Sequence, residues 1–284
     1  MSGFAAEWLA LREPYDARAR NPAIGDAATG LVIDLDPVTI VDLACGTGST
    51  LRALSPHLPA RQTWRLVDND LSLLARAADS ARPERAQVTA LPVDLAHDLE
   101  AALDGAVDLV TTTALLDLVS EPWLDRLVTE IAARRLPLYA ALSYDGRIAF
   151  DPPVPGDAAI TAAVNAHQRG DKGFGPALGP AAAAAAVARF TAVGYAVTHD
   201  TADWVIGPRD RDMQNELLTG WAGAARERGS PPFNETIAWL TRRRGLVAAG
   251  RSSIRVGHVD FFASPIANRR ADRSQSNSTS PSSW

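Results

Sequence analysis

Thr39-Ile40-Val41-Asp42-Leu43-Ala44-Cys45-Gly46-Thr47-Gly48-Ser49-Thr50 runs from an apolar strand through a glycine turn into the start of a helix. Small residues are needed where a ligand approaches the backbone closely, at the junction of a first strand and a first helix, so this turn reads as a binding site. A nicotinamide or flavin fingerprint wants a third glycine three positions after the second, and Leu51 stands there instead. Such fingerprints also place no acid inside the strand. Asp42 is such an acid. Beneath a glycine turn it would repel a pyrophosphate, whereas it suits a cation such as the ammonium of an amino acid.

Outward from this turn, short apolar runs alternate with helical segments at the spacing of βα units. Residues 39–44, 63–68, 87–94, 107–112 and 137–143 read as five strands. Segments near 50–57, 71–82, 98–103 and 122–134 read as the helices between them. Five strands with four crossovers imply a parallel sheet covered on both faces. Residues 4–20 read as an amphipathic helix broken at Pro14. After Ser143 come a proline-rich loop at 151–155 and a glycine-rich polar stretch at 165–179. An alanine-rich helix then opens at Pro180, followed by strand material at 195–198 and 204–206, helices near 213–226 and 236–249, and a last strand at 253–263. Trp204, Trp221 and Trp239 read as core between these helices and the sheet, and Arg242-Arg243-Arg244 as a solvated helix face.

With those residues in place the chain resembles the class I S-adenosylmethionine-dependent methyltransferases over at least residues 31–145. Asp42, Gly46 and Gly48 match the family's acid and glycine turn, with Ala44 where its first glycine usually stands. Asp68, with Asn69 after it, ends the second strand, where a carboxylate can accept from both ribose hydroxyls. The resemblance implies that Asp94 accepts from the adenine amino group and that the amide of Leu95 reaches the ring. It implies that Thr112, near the end of the fourth strand, lines the space between sulfonium and acceptor. It also implies an α/β fold with a mostly parallel, Rossmann-like sheet of seven strands, helices on both faces and an appended helical region. The expected division is a lid segment at 1–30, a cofactor-binding core at 31–150, an acceptor-site insertion with the final helices and strands at 151–264, and a disordered tail at 265–284. The cofactor would be S-adenosyl-L-methionine, with no metal.

The fourth strand ends in Thr111-Thr112-Thr113-Ala114, without the Asn or Asp, two prolines and aromatic of the nucleic-acid aminomethyltransferases. A small-molecule acceptor, methylated at oxygen or nitrogen, is therefore expected. His167, in the polar stretch with Lys172, is a candidate base. Asp117, after the fourth strand, is a second candidate, and it reads equally as the acid at a helix start. Arg12, Tyr15 and Arg18 are positioned to close over the cofactor. A noncatalytic cofactor-binding protein and, less favoured, a nucleotide-dependent oxidoreductase remain the alternatives.

Composition narrows the classes further. The 284 residues are 46% hydrophobic and 21% charged, enough apolar material for a large core. A net charge of −5 gives no general attraction to nucleic acid or to an anionic membrane. Cys45 is the single cysteine, which excludes an intramolecular disulfide framework and fits a reducing, cytoplasmic setting. The N-terminus carries no signal-peptide pattern, and no apolar run is long enough to span a bilayer. Lys172 is the only lysine in the chain.

Overall fold

The structure, a computed structural model, describes residues 5–80 and 85–266. Strand β1 (Val38–Leu43) is the centre of the sheet, because its side chains find apolar cover on both faces. Val38 and Ile40 pack with α2 (Pro22–Leu31), α3 (Ser49–Leu54) and α4 (Leu71–Asp79). Val41 and Leu43 pack on the opposite side with α5 (Leu99–Ala102), α6 (Glu121–Ala133) and α8 (Ala182–Ala192). Burial on both faces is why the strands read as continuous apolar runs rather than as alternating ones.

The remaining strands are β2 (Gln62–Asp68), β3 (Ala86–Pro92), β4 (Leu109–Thr113), β5 (Leu138–Asp151), β6 (Tyr195–Thr201), β7 (Trp204–Ile206) and β8 (Ser253–Pro265). They lie in the order β3-β2-β1-β4-β5-β8-β6, with β7 paired to β8. Strands β1 to β5 are mutually parallel, and β8 runs antiparallel between β5 and β6. The sheet therefore has eight strands where the resemblance implied seven, the extra one being the three-residue β7. Chain order reverses beside β1, which puts the switch point, and hence the expected ligand crevice, at the carboxyl ends of β1 and β4.

Strand β5 does not stop near Ser143. It continues to Asp151 and pairs with the first half of β8 beyond the carboxyl edge of the sheet. On this ribbon sit β7, α7 (Asp157–Gln168), α9 (Arg211–Arg228) and α10 (Phe233–Ala248), which close a second core around Trp204, Trp221 and Trp239. All three tryptophans are buried, as their sequence context suggested. Helix α7 takes in Asn165 to Gln168, the start of the stretch expected to be an irregular loop. Arg243 departs from the solvated face predicted for its arginine run. It is fully buried, because Trp239, Arg243 and Val247 recur every four residues along the inward stripe of α10.

At the other end, α1 (Ala6–Ala19) is one helix with Pro14 inside it, not two pieces. Asn21 then caps α2 by accepting from the amides of Ala23 and Ile24 at 3.1 and 3.3 Å. The expected disordered tail lies outside the described residues from 267 on, whereas Pro265 belongs to β8.

Candidate functional site

Left-handed conformations at three alternate positions shape the turn after β1: Ala44 (φ 53°), Gly46 (φ 53°) and Gly48 (φ 82°). A Cβ on Gly48 would lie 3.3 Å from Ala77 Cα and Cβ, so this glycine serves the close packing of the turn on α4. Ala44 and Gly46 instead line a cavity of about 910 Å³. Its long wall follows the strand ends, with Asp68, Asn69 and Asp70 after β2, Asp94 and Leu95 after β3, and Thr113 and Ala114 at β4. Leu9, Arg12 and Asp16 of α1 also line it, as do Asp171, Lys172 and Phe174. Arg12 is thus where a lid residue was expected. Tyr15 donates its hydroxyl to Asp210 at 2.9 Å instead, and the Arg18 guanidinium lies 4.5 Å from the Tyr15 ring centre.

Asp68 holds the turn and faces the cavity at once. One oxygen accepts from the Gly46 amide at 2.9 Å and the other from the Asp70 amide at 3.0 Å. A carboxylate offers about four acceptor positions, so the rest remain for a diol. Asp94 is held by the Ala96 amide at 3.0 Å and by His97 Nδ1 at 2.9 Å. The bond to His97 is the main reason its carboxyl titrates below the usual range. Among the described residues five carboxylates (Asp16, Asp68, Asp70, Asp94 and Asp171) line the cavity against two cationic side chains, Arg12 and Lys172. That donor set fits a hydroxyl-rich, cationic nucleoside and opposes a pyrophosphate.

Three expected cofactor residues are placed elsewhere. Gly48 backs onto α4. Thr112 points to the other face of the sheet and donates to the Leu43 carbonyl at 3.0 Å, leaving the cavity to Thr113, one residue on. Asp42 lies beneath the turn with no exposed surface and accepts from Thr111 Oγ1 at 2.8 Å. It is not in the cavity wall. Its charged neighbour is Arg20, whose Nη2 donates to Thr113 Oγ1 at 3.0 Å at the end of α1. The strand acid therefore helps tie the N-terminal helices to the sheet, together with Asp260, which accepts from the amides of Asn21 and Leu142 at 2.9 and 2.7 Å.

Burial pushes the Asp42 carboxyl up to about 7 and Asp117 up to about 6. A raised carboxyl pKa favours the folded state while the group is protonated, and that contribution is lost as pH rises through the folded-state value. The ligand-free protein should thus lose stability from these groups between about pH 4 and 7. Relative to the wild type, Asp42→Asn should melt progressively higher as pH is raised across that window. Its affinity for S-adenosylhomocysteine should change little, since residue 42 does not line the cavity. Parallel melting curves, or a large affinity loss, would count against this placement.

Of the two candidate bases, Asp117 lies in the 3-10 turn Leu116–Leu118 directly after β4, and Leu118 lines the cavity. Asp117 is buried, and its Oδ1 has no hydrogen-bond partner among the described residues. Arg12 and Lys172, both cavity residues, bear on its charge. His167 does not line the cavity. It stands in the last turn of α7, with Nε2 2.9 Å from Glu227 Oε2 and Nδ1 3.4 Å from Lys172 Nζ. Sequence reading missed Tyr144 and His258, which pair across β5 and β8 beside Asp117. Both lie on strand segments beyond or within the long ribbon, whose extension past Ser143 carried no separate signal. His258 is driven down to about 3 by burial and is therefore neutral. Among the described residues no cluster of His, Cys, Asp and Glu could hold a metal ion.

A doubly wound sheet with an acid-rimmed crevice at its switch point, closed by a glycine turn, defines a nucleoside-binding domain of the Rossmann-like kind. Residues 40–136 match the family described as "Methyltransferase domain". The match lies over the strands and acids that carry the resemblance to the class I S-adenosylmethionine-dependent methyltransferases, whose cofactor is S-adenosyl-L-methionine. No curated protein matches the chain in sequence. Similar solved structures include a cyclopropane synthase from Mycobacterium tuberculosis, at 14% identity over 85% of this chain and 83% of that one, with a TM-score of 0.44. A cyclopropane-fatty-acyl-phospholipid synthase-like protein from Lactobacillus casei is 14% identical over 92% and 94%, with a TM-score of 0.47. The YcgJ protein from Bacillus subtilis is 14% identical over 87% and 100%, with a TM-score of 0.45. Among the described residues no helix is long and apolar enough to cross a membrane.

Proposed function

We propose that the protein transfers a methyl group to an oxygen or nitrogen of a small-molecule acceptor bound in the same cavity as the cofactor. The observation that carries this reading is the lining and size of the cavity. It brings the strand-end acids Asp68 and Asp94 together with Ala114, Leu118, Lys172 and Phe174, beside Leu9, Arg12 and Asp16 of α1. Cavities for one drug-sized ligand fall at roughly 300–1,000 Å³, so a volume of about 910 Å³ suits a cofactor with a small partner. When bound, S-adenosylmethionine supplies a methyl group already activated on a sulfonium. The chain's own work is then to hold the nucleoside through Asp68, Asp94 and the Ala44–Thr47 turn, to exclude water with Leu9 and Arg12, and to accept the proton that the acceptor gives up. Asp117 is the proton acceptor in this reading: it lies behind the cavity wall, next to the lining residue Leu118, with a free carboxylate oxygen and a pKa of about 6, so a shift of the 3-10 turn would have to bring it to the acceptor. The unpaired, buried Cys45 is in keeping with a reducing, cytoplasmic setting.

The test is incubation of the protein with methyl-labelled S-adenosylmethionine and a library of small hydroxy and amino compounds. Labelled product should form, and its rate should rise with pH through about 6 as Asp117 loses its proton. Asp117→Asn should lose that pH limb and about tenfold or more of the rate. Tight binding of S-adenosylhomocysteine with no labelled product from any compound would instead favour a noncatalytic cofactor-binding protein.

A further inference from the structure

Lys172 is the only lysine in a chain whose other Lys/Arg-type cations are all arginine, and it lines the cavity. The loop that carries it is built, not slack. Asp171 Oδ1 accepts from the amides of both Gly173 and Gly175, at 2.6 and 3.1 Å. Asp171 and Pro176 form a bridge, as do Ser120 and Ala177, and Phe174 meets Trp123 edge-on at 5.4 Å.

An ammonium only donates hydrogen bonds, so the contact between Lys172 Nζ and His167 Nδ1 at 3.4 Å makes Nδ1 the acceptor. The imidazole proton is then on Nε2, which donates to Glu227 Oε2 at 2.9 Å. Glu227, His167 and Lys172 form a chain in which the imidazole orients the ammonium and no carboxylate does. Among the described residues no carboxylate oxygen comes within 4.0 Å of the Lys172 ammonium. Arg12, the other cationic lining residue, is already paired with Asp16 at 2.9 Å. Ala114, Leu115, Leu118 and Phe174 are apolar members of the same lining, and the buried carboxyl on which Lys172 bears, Asp117, makes no ion pair with it within 4.0 Å. A cation beside apolar side chains attracts an anion more strongly than one in water does.

From this geometry we infer that the methyl acceptor is a small molecule with an apolar body and a carboxylate, and that Lys172, oriented by His167 and Glu227, receives the carboxylate. His167 is accordingly a positioning residue, in place of the base expected from its sequence context. This inference rests on the cavity being the site of methyl transfer.

The experiment uses the full chain saturated with S-adenosylhomocysteine and a library of apolar carboxylic acids, each paired with its primary amide, read by ligand-observed NMR and calorimetry. Binding should concentrate among the acids. Lys172→Met should weaken the bound acids by about tenfold or more and remove the preference for acid over amide. Lys172→Arg should retain most of the preference. His167→Ala should reduce it without changing affinity for S-adenosylhomocysteine. Equal binding of acids and amides, no binding by either set, or an unchanged preference in Lys172→Met would overturn the inference. Methyl transfer to the bound compounds is measured separately. Acids that bind through Lys172 but are never methylated would defeat the proposed reaction and leave the recognition of carboxylates standing.

Discussion

Replacing Asp157 with alanine should destabilise the protein by about 3–5 kcal/mol, the range for stranding one member of a buried ion pair. Arg243 is fully buried, and its guanidinium makes two contacts with the Asp157 carboxylate, including Nε to Oδ1 at 2.9 Å. The same carboxylate accepts from Trp239 Nε1 at 2.8 Å and from the Val154 amide at 2.7 Å. Arg243 keeps the Pro152 carbonyl at 3.0 Å and the face of Phe150 at 4.2 Å, neither of which carries a formal charge. Alanine at 157 would leave a buried cation, an indole donor and an amide together without their acceptor. Denaturant unfolding would measure the loss. Arg242→Ala and Arg244→Ala, on the exposed flanks of the same helix, should stay within roughly 0.5 kcal/mol of the wild type. In Asp157→Ala combined with Arg243→Met, part of the lost stability should return. A loss below 1 kcal/mol in the single variant would show that the guanidinium can reach water.

Asp68→Ala should weaken S-adenosylhomocysteine binding by about 1.5–3 kcal/mol, roughly 10- to 150-fold in Kd. Two effects act together. The acceptor for the ribose hydroxyls is removed, and the amides of Gly46 and Asp70 lose the carboxylate that sets the turn before the nucleoside arrives. Calorimetry gives the affinity directly. Asp68→Asn keeps one acceptor oxygen and should fall between the wild type and the alanine variant. An unchanged Kd in Asp68→Ala would remove the ribose assignment and with it the orientation of the cofactor in the cavity.

The parts of the molecule that were legible in the sequence are those where one residue carries its own geometric signal. Asp68 and Asp94 end apolar strands, and Gly46 sits in a turn that only small residues can form, so these positions were readable and the structure brings them to one cavity. Strand phase was not readable. Strand β4 is buried on both faces, so no alternation tells Thr112 from Thr113, and a one-residue shift moves a side chain to the opposite side of the sheet. Asp42 had the right spacing but faces inward, because its role depends on Arg20, twenty-two residues away in a helix whose docking no local pattern announces. Three adjacent arginines look uniformly polar in sequence. The repeat of Trp239, Arg243 and Val247 at intervals of four was the available sign that the middle one turns inward. His167 drew notice for its chemistry, while its helix was signalled by Ile160 and Val164, whose spacing of four marks the buried side of α7.

Strand β8 fills the slot between β5 and β6, although it is the last of the described elements to leave the ribosome. Until residues 253–265 emerge, β5 has no partner on that side for any of its 14 residues, and Trp204 and the helices around it lack the strand that completes their core. The segment at 40–136 can begin to assemble early, but while the residues between Asp151 and Ser253 are made the nascent chain carries an open, largely apolar strand edge. The pairing of β8 with β5 and β6 therefore decides between a finished sheet and a sticky intermediate.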